Sequence, residues 1–168
     1  MLRGDLVGVR VRQVVSYGDC SLAVSQEGEL FGWGNSEYLQ LSAVTDSTQL
    51  SSPRLLPLAG VGRVQQAACG GTQVAVLNES GQVFVWGYGI LGKGPNLSES
   101  RTPEMIPPTL LGCSEFNPDI AVAQIRCGLN HFAAITAKKL ISANPSDSVL
   151  RMHLRSDCTG RTGRSTSS

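Results

Sequence analysis

Short apolar runs alternate with polar turns in the same order several times along this chain. Each of the two complete copies has a β-type run ending at glycine, a second apolar run, a glycine turn and a third run ending in Trp-Gly, and a third copy stops after its second run. A polar loop then leads to a proline-bounded run, which belongs at a sheet edge because proline cannot donate into a central ladder. This order, without a helical period, predicts an all-β fold. The recurring marker residues are Gly18, Trp33, Gly34, Gly70, Trp86, Gly87, Gly128 and His131.

The distance between copies indicates the architecture. Gly18, Gly70 and Gly128 stand 52 and 58 residues apart, and the two tryptophans stand 53 apart. Repeats of about 50 residues that are dense in glycine and short strands are typical of β-propeller blades. We therefore predict a partial β-propeller of about two and a half blades. Residues 1–10 form a lead-in, residues 11–62 and 63–119 form two repeats, and residues 120–136 form an incomplete third.

The spacings also predict which residues correspond between copies. A glycine spacing of 52 beside a tryptophan spacing of 53 indicates one residue inserted in the second copy. This alignment places Ala23, Ala75 and Ala133 at one recurrent position, where small residues suit crowding near the propeller axis. The large tryptophans are expected to fill the space between neighbouring blades.

Residues 137–168 leave the repeat pattern and change the charge balance. Residues 1–136 hold 8 Lys/Arg and 11 Asp/Glu, a net charge of −3, whereas residues 137–168 hold 6 and 2, a net charge of +4. The ending is rich in Ser, Thr, Gly and Arg, a composition that cannot bury enough apolar surface to offset ordering entropy. We predict a mostly disordered basic tail; contact with nucleic acid or an anionic surface is the alternative.

The ordered elements of residues 11–136 resemble the regulator of chromosome condensation repeat family, whose members form seven-bladed propellers. The phrases WGNSEYLQL, CGGTQVAVL and VFVWGYGILGKGPNLSES are similar to those of a mitochondrial branch of that family. The resemblance implies guanine-nucleotide exchange on a GTPase of the dynamin type in mitochondrial fusion, at the inner membrane and matrix side. A scaffold for the mitochondrial ribosome or its RNA, and a truncated product with little stable function, are the alternatives.

The chain departs from the family at several places. Tyr38-Leu39 stands in the first Trp-Gly loop where the family usually has glycine. Against the family pattern we expect the N-terminal blades and a targeting segment to be missing from these residues. No run of about 18 apolar residues is present, so we predict no transmembrane segment.

The sequence offers no convincing catalytic or cofactor site. Gly87-x-Gly89-x-x-Gly92 matches a dinucleotide loop literally, but no amphipathic helix follows it to hold a phosphate. His131 shares its position with Ser21 and Gln73, which favours a structural hydrogen-bonding role. The five cysteines include no CxxC pair, which fits packed thiols in a reducing compartment, and no converging set of metal ligands can be named. We predict no catalytic residue, no cofactor and no metal site.

The best candidates for function are therefore loop residues that contact a protein partner. Exposed aromatic and charged residues on loops held by a rigid sheet commonly carry binding. A nucleotide exchange factor needs only differential affinity for the empty and loaded GTPase, so the absence of a catalytic motif is compatible with that role. The partner is predicted to be a GTPase, or the ribosome, and not DNA. The candidate contact residues, in the loops after Trp-Gly, are Asn35, Glu37, Tyr38, Tyr88 and Lys93.

Overall fold

The computed structural model describes residues 4–89, 99–138 and 151–153 of the 168-residue chain, and the regular secondary structure of these residues is almost entirely β-strand. A single-turn 3₁₀ helix spans Pro108–Leu111. The strands are β1 Val11–Tyr17, β2 Cys20–Ser25, β3 Leu30–Asn35, β4 Gln49–Leu55, β5 Val64–Cys69, β6 Gln73–Asn78, β7 Val83–Tyr88, β8 Glu99–Met105, β9 Ile120–Cys127, β10 Phe132–Lys138 and β11 Arg151–His153.

The described strands form three antiparallel sheets that follow one another along the chain. Blade 1 has the order β1-β2-β3-β4, blade 2 the order β5-β6-β7-β8, and blade 3 the order β11-β10-β9. The first strands of successive blades, β1, β5 and β9, lie side by side. The proline-bearing strands β4 and β8 are sheet edges, as the absence of a proline N–H predicts. The predicted all-β partial propeller is confirmed.

The core lies between the sheets rather than within one of them. One apolar cluster fills the space between blades 1 and 2, and a second fills the space between blades 2 and 3. Most of the buried apolar side chains are therefore covered by a neighbouring blade, as in other repeat architectures. Ala23 and Phe31 of blade 1 pack instead with Leu6 of the lead-in. Members of the first cluster include Leu22, Leu30 and Leu41 of blade 1 with Val74, Val76 and Trp86 of blade 2.

The strand register corrects the predicted alignment of the first two repeats. Tyr17 pairs with Cys20 across the first hairpin, and Gly70 bonds to Gln73 at the same place in blade 2. The spacing between equivalent residues is therefore 53 throughout, with no inserted residue, and Gly18 corresponds to Gly71. The error arose because either residue at the start of this turn can be glycine.

The same register moves two of the residues that were expected to be equivalent. Ala23 pairs with Val14 and belongs to the apolar cluster of blade 1 that faces away from blade 2. Ala75 pairs with Ala68 and faces blade 3. The position in blade 1 that corresponds to Ala75 is Leu22, so no alanine position recurs through all three blades.

Blade 3 continues beyond the point where the repeat pattern stops. Strand β10 runs on through Ala137 to Lys138, and Arg151–His153 pairs with its residues 134–136 as a third strand. At these positions the structure differs from the predicted disordered tail, because antiparallel pairing satisfies backbone groups whatever the side chains are. Residues 139–150 and 154–168, the rest of that tail, lie outside the described residues.

Candidate interaction surface at the Trp-Gly loops

The Trp-Gly dipeptide fixes the direction in which each loop leaves its sheet. Gly34 and Gly87 have φ angles of +100° and +116°, and a Cβ at either would collide with a carbonyl oxygen, that of Asp19 or Thr72. The next residue then donates its N–H to the same carbonyl, at 2.9 Å in blade 1 and 2.8 Å in blade 2. Only glycine allows this close approach, so both loops start from equivalent, rigid positions.

The first loop, residues 36–48, is ordered by its own side chains and by blade 2. Asn35 Oδ1 accepts the N–H of Glu37 at 2.7 Å, which closes a tight turn directly after β3. Further along, Ser42 Oγ lies 2.7 Å from the carbonyl of Arg101 in β8, and Arg101 forms a 3.0 Å ion pair with Asp46. The loop is thus attached to its own sheet at one end and to the neighbouring sheet at the other.

Gln40 links this loop to the turn beneath the second one. Its Nε2 donates to the carbonyl of Gly71 at 3.0 Å, and its Oε1 accepts the N–H of Tyr38 at 3.0 Å. Its backbone carbonyl accepts the indole N–H of Trp86 at 2.9 Å. Gln40 is 2% exposed, so losing these partners would leave a buried polar group unsatisfied. Sequence reasoning missed this residue.

The first loop meets the end of strand β7 at the surface through a pair of tyrosines. The ring centroids of Tyr38 and Tyr88 are 6.1 Å apart, with an angle of 41° between the planes. Their exposed fractions are 39% and 47%. Two predicted contact residues that lie 50 positions apart in sequence therefore form one exposed aromatic surface across blades 1 and 2. We call Tyr38 and Tyr88 the tyrosine pair.

The other predicted site residues take different places. Glu37 is exposed beside Tyr38, Asn35 is partly buried and its side chain is used within the turn, and Lys93 lies outside the described residues. Trp33 and Trp86 occupy equivalent positions opposite β2 and β6, but Trp86 is buried whereas Trp33 is only partly buried.

In blade 3 the turn between the first two strands, at Gly128, has the geometry of the turn at Gly70 in blade 2. The Gly128 N–H donates to the carbonyl of His131 at 2.7 Å, and a Cβ at Gly128 would collide with the histidine ring. The register assigns His131 to the position of Gln73 and Cys20, so the predicted match with Ser21 is wrong by one residue.

The cysteines near the blade interfaces are free, and their surroundings shift the pKa values of their thiols. Hydrogen bonding to Cys69, together with burial, raises the pKa of Cys20 far above its ordinary range, and the same bond lowers the pKa of Cys69. Burial raises the pKa of Cys127 to about 12. Cys113 is also free.

Within residues 4–89, 99–138 and 151–153, no three His, Cys, Asp or Glu side chains are placed to hold a metal, and no helix is long and apolar enough to cross a membrane.

A glutamine in the first strand of blade 1 and another in the first strand of blade 2 each contact the next blade, and sequence reasoning missed both contacts. Gln13 bonds through both amide atoms to the backbone of Ala67, with Nε2 to the carbonyl at 3.2 Å and the N–H to Oε1 at 2.9 Å. Gln66 bonds in the same way to blade 3, at Ala123 and Ile125. The signal was present, because Gln13, Gln66 and Gln124 are 53 and 58 residues apart.

Comparison with known proteins gives consistent matches to one repeat family. The repeat described as "Regulator of chromosome condensation (RCC1) repeat" matches residues 27–77 and 80–135. The chain is 72% identical over 137 residues to the human RCC1-like G exchanging factor-like protein and 69% identical to the mouse protein of the same name. Each match covers 82% of this chain but 30% of the relative, so the chain spans about a third of the length of these proteins.

Solved structures show the same relationship. The crystal structure of human WBSCR16 matches with a TM-score of 0.78 and 72% identity, over 80% of this chain and 34% of that one. The yeast protein Prp20p, described with its binding properties to Gsp1p and histones, matches with a TM-score of 0.62 at 20% identity, over 79% of this chain and 32% of that one. The second likeness concerns the fold alone.

Proposed function

Because this chain belongs to the regulator of chromosome condensation repeat family, we propose that it forms part of a guanine-nucleotide exchange module that binds a GTPase through the tyrosine pair. The observation that carries the proposal is the contact of Tyr38 with Tyr88, which joins two loops into one exposed aromatic surface. The name of the human and mouse relatives, RCC1-like G exchanging factor-like protein, supports the class of partner.

The chemistry of the surface suits binding rather than bond-making. Tyrosine offers a large rigid contact area with a polar tip and is enriched among residues that dominate interface energies. Hydrogen bonds to the sheets hold the first loop, through Gln40, and the backbone of Tyr88, so little conformational entropy of these two segments is lost when a partner docks. Exchange then follows from tighter binding of the nucleotide-free GTPase than of the loaded form.

We further propose a mitochondrial location and a dynamin-type GTPase of mitochondrial fusion as the partner. The support is the similarity of WGNSEYLQL and VFVWGYGILGKGPNLSES to a mitochondrial branch of the family. A scaffold role on the mitochondrial ribosome is the competing outcome, which ribosome co-sedimentation with a salt titration detects.

The test is release of a fluorescent guanine nucleotide from the GTPase in the presence of the chain. Tyr38→Ala and Tyr88→Ala are each expected to weaken association by about 1 kcal/mol or more while leaving the fold intact. Phe116→Ala is the matched control, because Phe116 is 91% exposed and precedes β9, at the opposite end of blade 3 from Gly128. Unchanged binding in the double tyrosine variant rejects the surface, and no stimulation by the unmodified chain rejects exchange activity for these residues.

A further inference from the structure

The outward face of blade 1 repeats one half of an interface that is complete elsewhere in the chain. Between blades 1 and 2, the side contributed by blade 2 contains Ala67, Val76, Phe84 and Trp86, all in the first apolar cluster. The residues 53 positions earlier are Val14, Ala23, Phe31 and Trp33. Leu6 packs with Ala23 and Phe31, and Trp33 is only partly buried. We call the surface formed by Val14, Ala23, Phe31 and Trp33 the head face.

The innermost part of the head face is uncovered. Val14 is 61% exposed, whereas Ala67 at the equivalent position is 1% exposed. The exposure differs because blade 1 covers Ala67, whose backbone N–H and carbonyl both bond to the side-chain amide of Gln13. Among the described residues no glutamine occupies that place over Val14.

The outward face of blade 3 carries the complementary half. Gln66, Ala68, Ala75 and Leu77 form the side of blade 2 that contacts blade 3. The residues 58 positions later are Gln124, Arg126, Ala133 and Ile135, and none of these four is fully buried. We call this the tail face.

Gln124 does not make the contact of its counterparts. With its amide oriented to satisfy hydrogen bonding, its oxygen accepts from Arg126 Nη2 at 2.6 Å. Arg126 stands where blades 1 and 2 have the apolar residues Val15 and Ala68. The glutamine that links each earlier blade to the next is therefore present but held within its own strand.

We propose that two molecules of this 168-residue chain associate head to tail, with the tail face of one docked on the head face of the other. Gln124 of one molecule then bonds to the backbone of Val14 in the second copy, as Gln13 bonds to Ala67 within the chain. The argument is continuity, since the same interface is built twice inside the molecule and its two separated halves stand at opposite ends. Such an interface is heterologous, so each molecule retains one free face after pairing. The proposal does not depend on the proposed function.

Sedimentation velocity over a range of concentrations tests the association. The unmodified chain is expected to form dimers and larger species as its concentration rises. Val14→Asp places a charge in the head face, and Gln124→Ala removes the amide of the tail face; each should raise the dissociation constant by about tenfold or more. Arg126→Ala frees Gln124 and restores an apolar residue, so it should tighten association. Phe116→Ser, an exposed residue on neither face, is the control.

Mixing the two weakened variants distinguishes this geometry from a symmetric dimer. The Gln124→Ala molecule keeps an intact head face and the Val14→Asp molecule an intact tail face, so their mixture should form a dimer that grows no further. A circular dichroism spectrum that matches the unmodified chain verifies that each variant is folded before mixing. A monomer at all concentrations, association that both variants leave unchanged, or a mixture of folded variants without a dimer overturns the proposal.

Discussion

The indole nitrogen of Trp86 donates a 2.9 Å hydrogen bond to the carbonyl oxygen of Gln40, across the boundary between blades 2 and 1. Both residues are buried, at 1% and 2% exposed. The bond means that the first Trp-Gly loop is fixed by the tryptophan of the following blade, and not only by its own sheet. The position of the tyrosine pair therefore depends on how two blades pack.

The first prediction concerns Gln40. Gln40→Ala removes the side-chain bonds to Gly71 and Tyr38 and leaves partly buried backbone groups without these partners. We expect the free energy of unfolding to fall by about 1–3 kcal/mol. Urea denaturation monitored by tryptophan fluorescence measures the change. Gln65→Ala, at an exposed position of β5, is the control and should stay within about 0.5 kcal/mol of the unmodified chain. Equal effects of the two substitutions would contradict the linking role of Gln40.

The second prediction separates steric collision from backbone strain at glycine. Gly34 and Gly60 both have positive φ, but a Cβ at Gly34 meets the Asp19 carbonyl whereas a Cβ at Gly60 meets nothing within 4 Å. Gly60→Ala is expected to cost about 1–2 kcal/mol from the left-handed backbone alone. Gly34→Ala should cost clearly more, because the turn must also move. Thermal unfolding followed by circular dichroism compares them, and similar melting temperatures for the two variants would reject the collision.

The strands and their edges were predictable because a repeating pattern carries them. Glycine turns, Trp-Gly ends and proline-bounded runs each reflect a local backbone requirement, so the strand order follows from sequence. The register was harder: Gly18 and Gly70 suggested an inserted residue, and only the pairing of Tyr17 with Cys20 and of Gly70 with Gln73 removed it. A one-residue slip transfers a side chain to the other face of a sheet, and this is what happened to Ala75.

The candidate surface was predictable only in part. Tyr38 and Tyr88 were identified as exposed loop residues. Their contact joins positions that are not equivalent in the repeat, so the repeat spacing does not predict it. Gln40 gives no local signal either, because its three partners lie in another turn, another blade and its own loop. The glutamines of the first strands are the opposite case, since their spacing matched that of the tryptophans and was overlooked.

The third prediction concerns the reactivity of the thiols. Because a thiolate is the reactive form, the raised pKa values of Cys20 and Cys127 should keep both unreactive at pH 7.5. Cys113 is expected to be alkylated by iodoacetamide before Cys20, which is buried, and before Cys127, whose pKa is raised by burial. Mass spectrometry of peptides after timed labelling measures the order, with labelling in denaturing urea as the control that removes burial. Modification of Cys127 as fast as Cys113 in the folded chain would show that blade 3 opens readily.

The last prediction concerns Leu39, whose φ is +65°. Among the residues that the structure describes, it is the only non-glycine residue with a positive φ. The residue 53 positions later is Gly92, so leucine stands where the second copy has glycine. The left-handed backbone costs an L-residue about 1–2 kcal/mol, and glycine in turn loses about 0.5–1 kcal/mol more entropy on folding. Leu39→Gly should therefore raise the free energy of unfolding by about 0.5 kcal/mol. Leu39→Ala, which shortens the side chain but keeps the strain, should produce no gain. If alanine stabilises as much as glycine in urea denaturation, the effect comes from the side chain and the backbone at Leu39 is not strained.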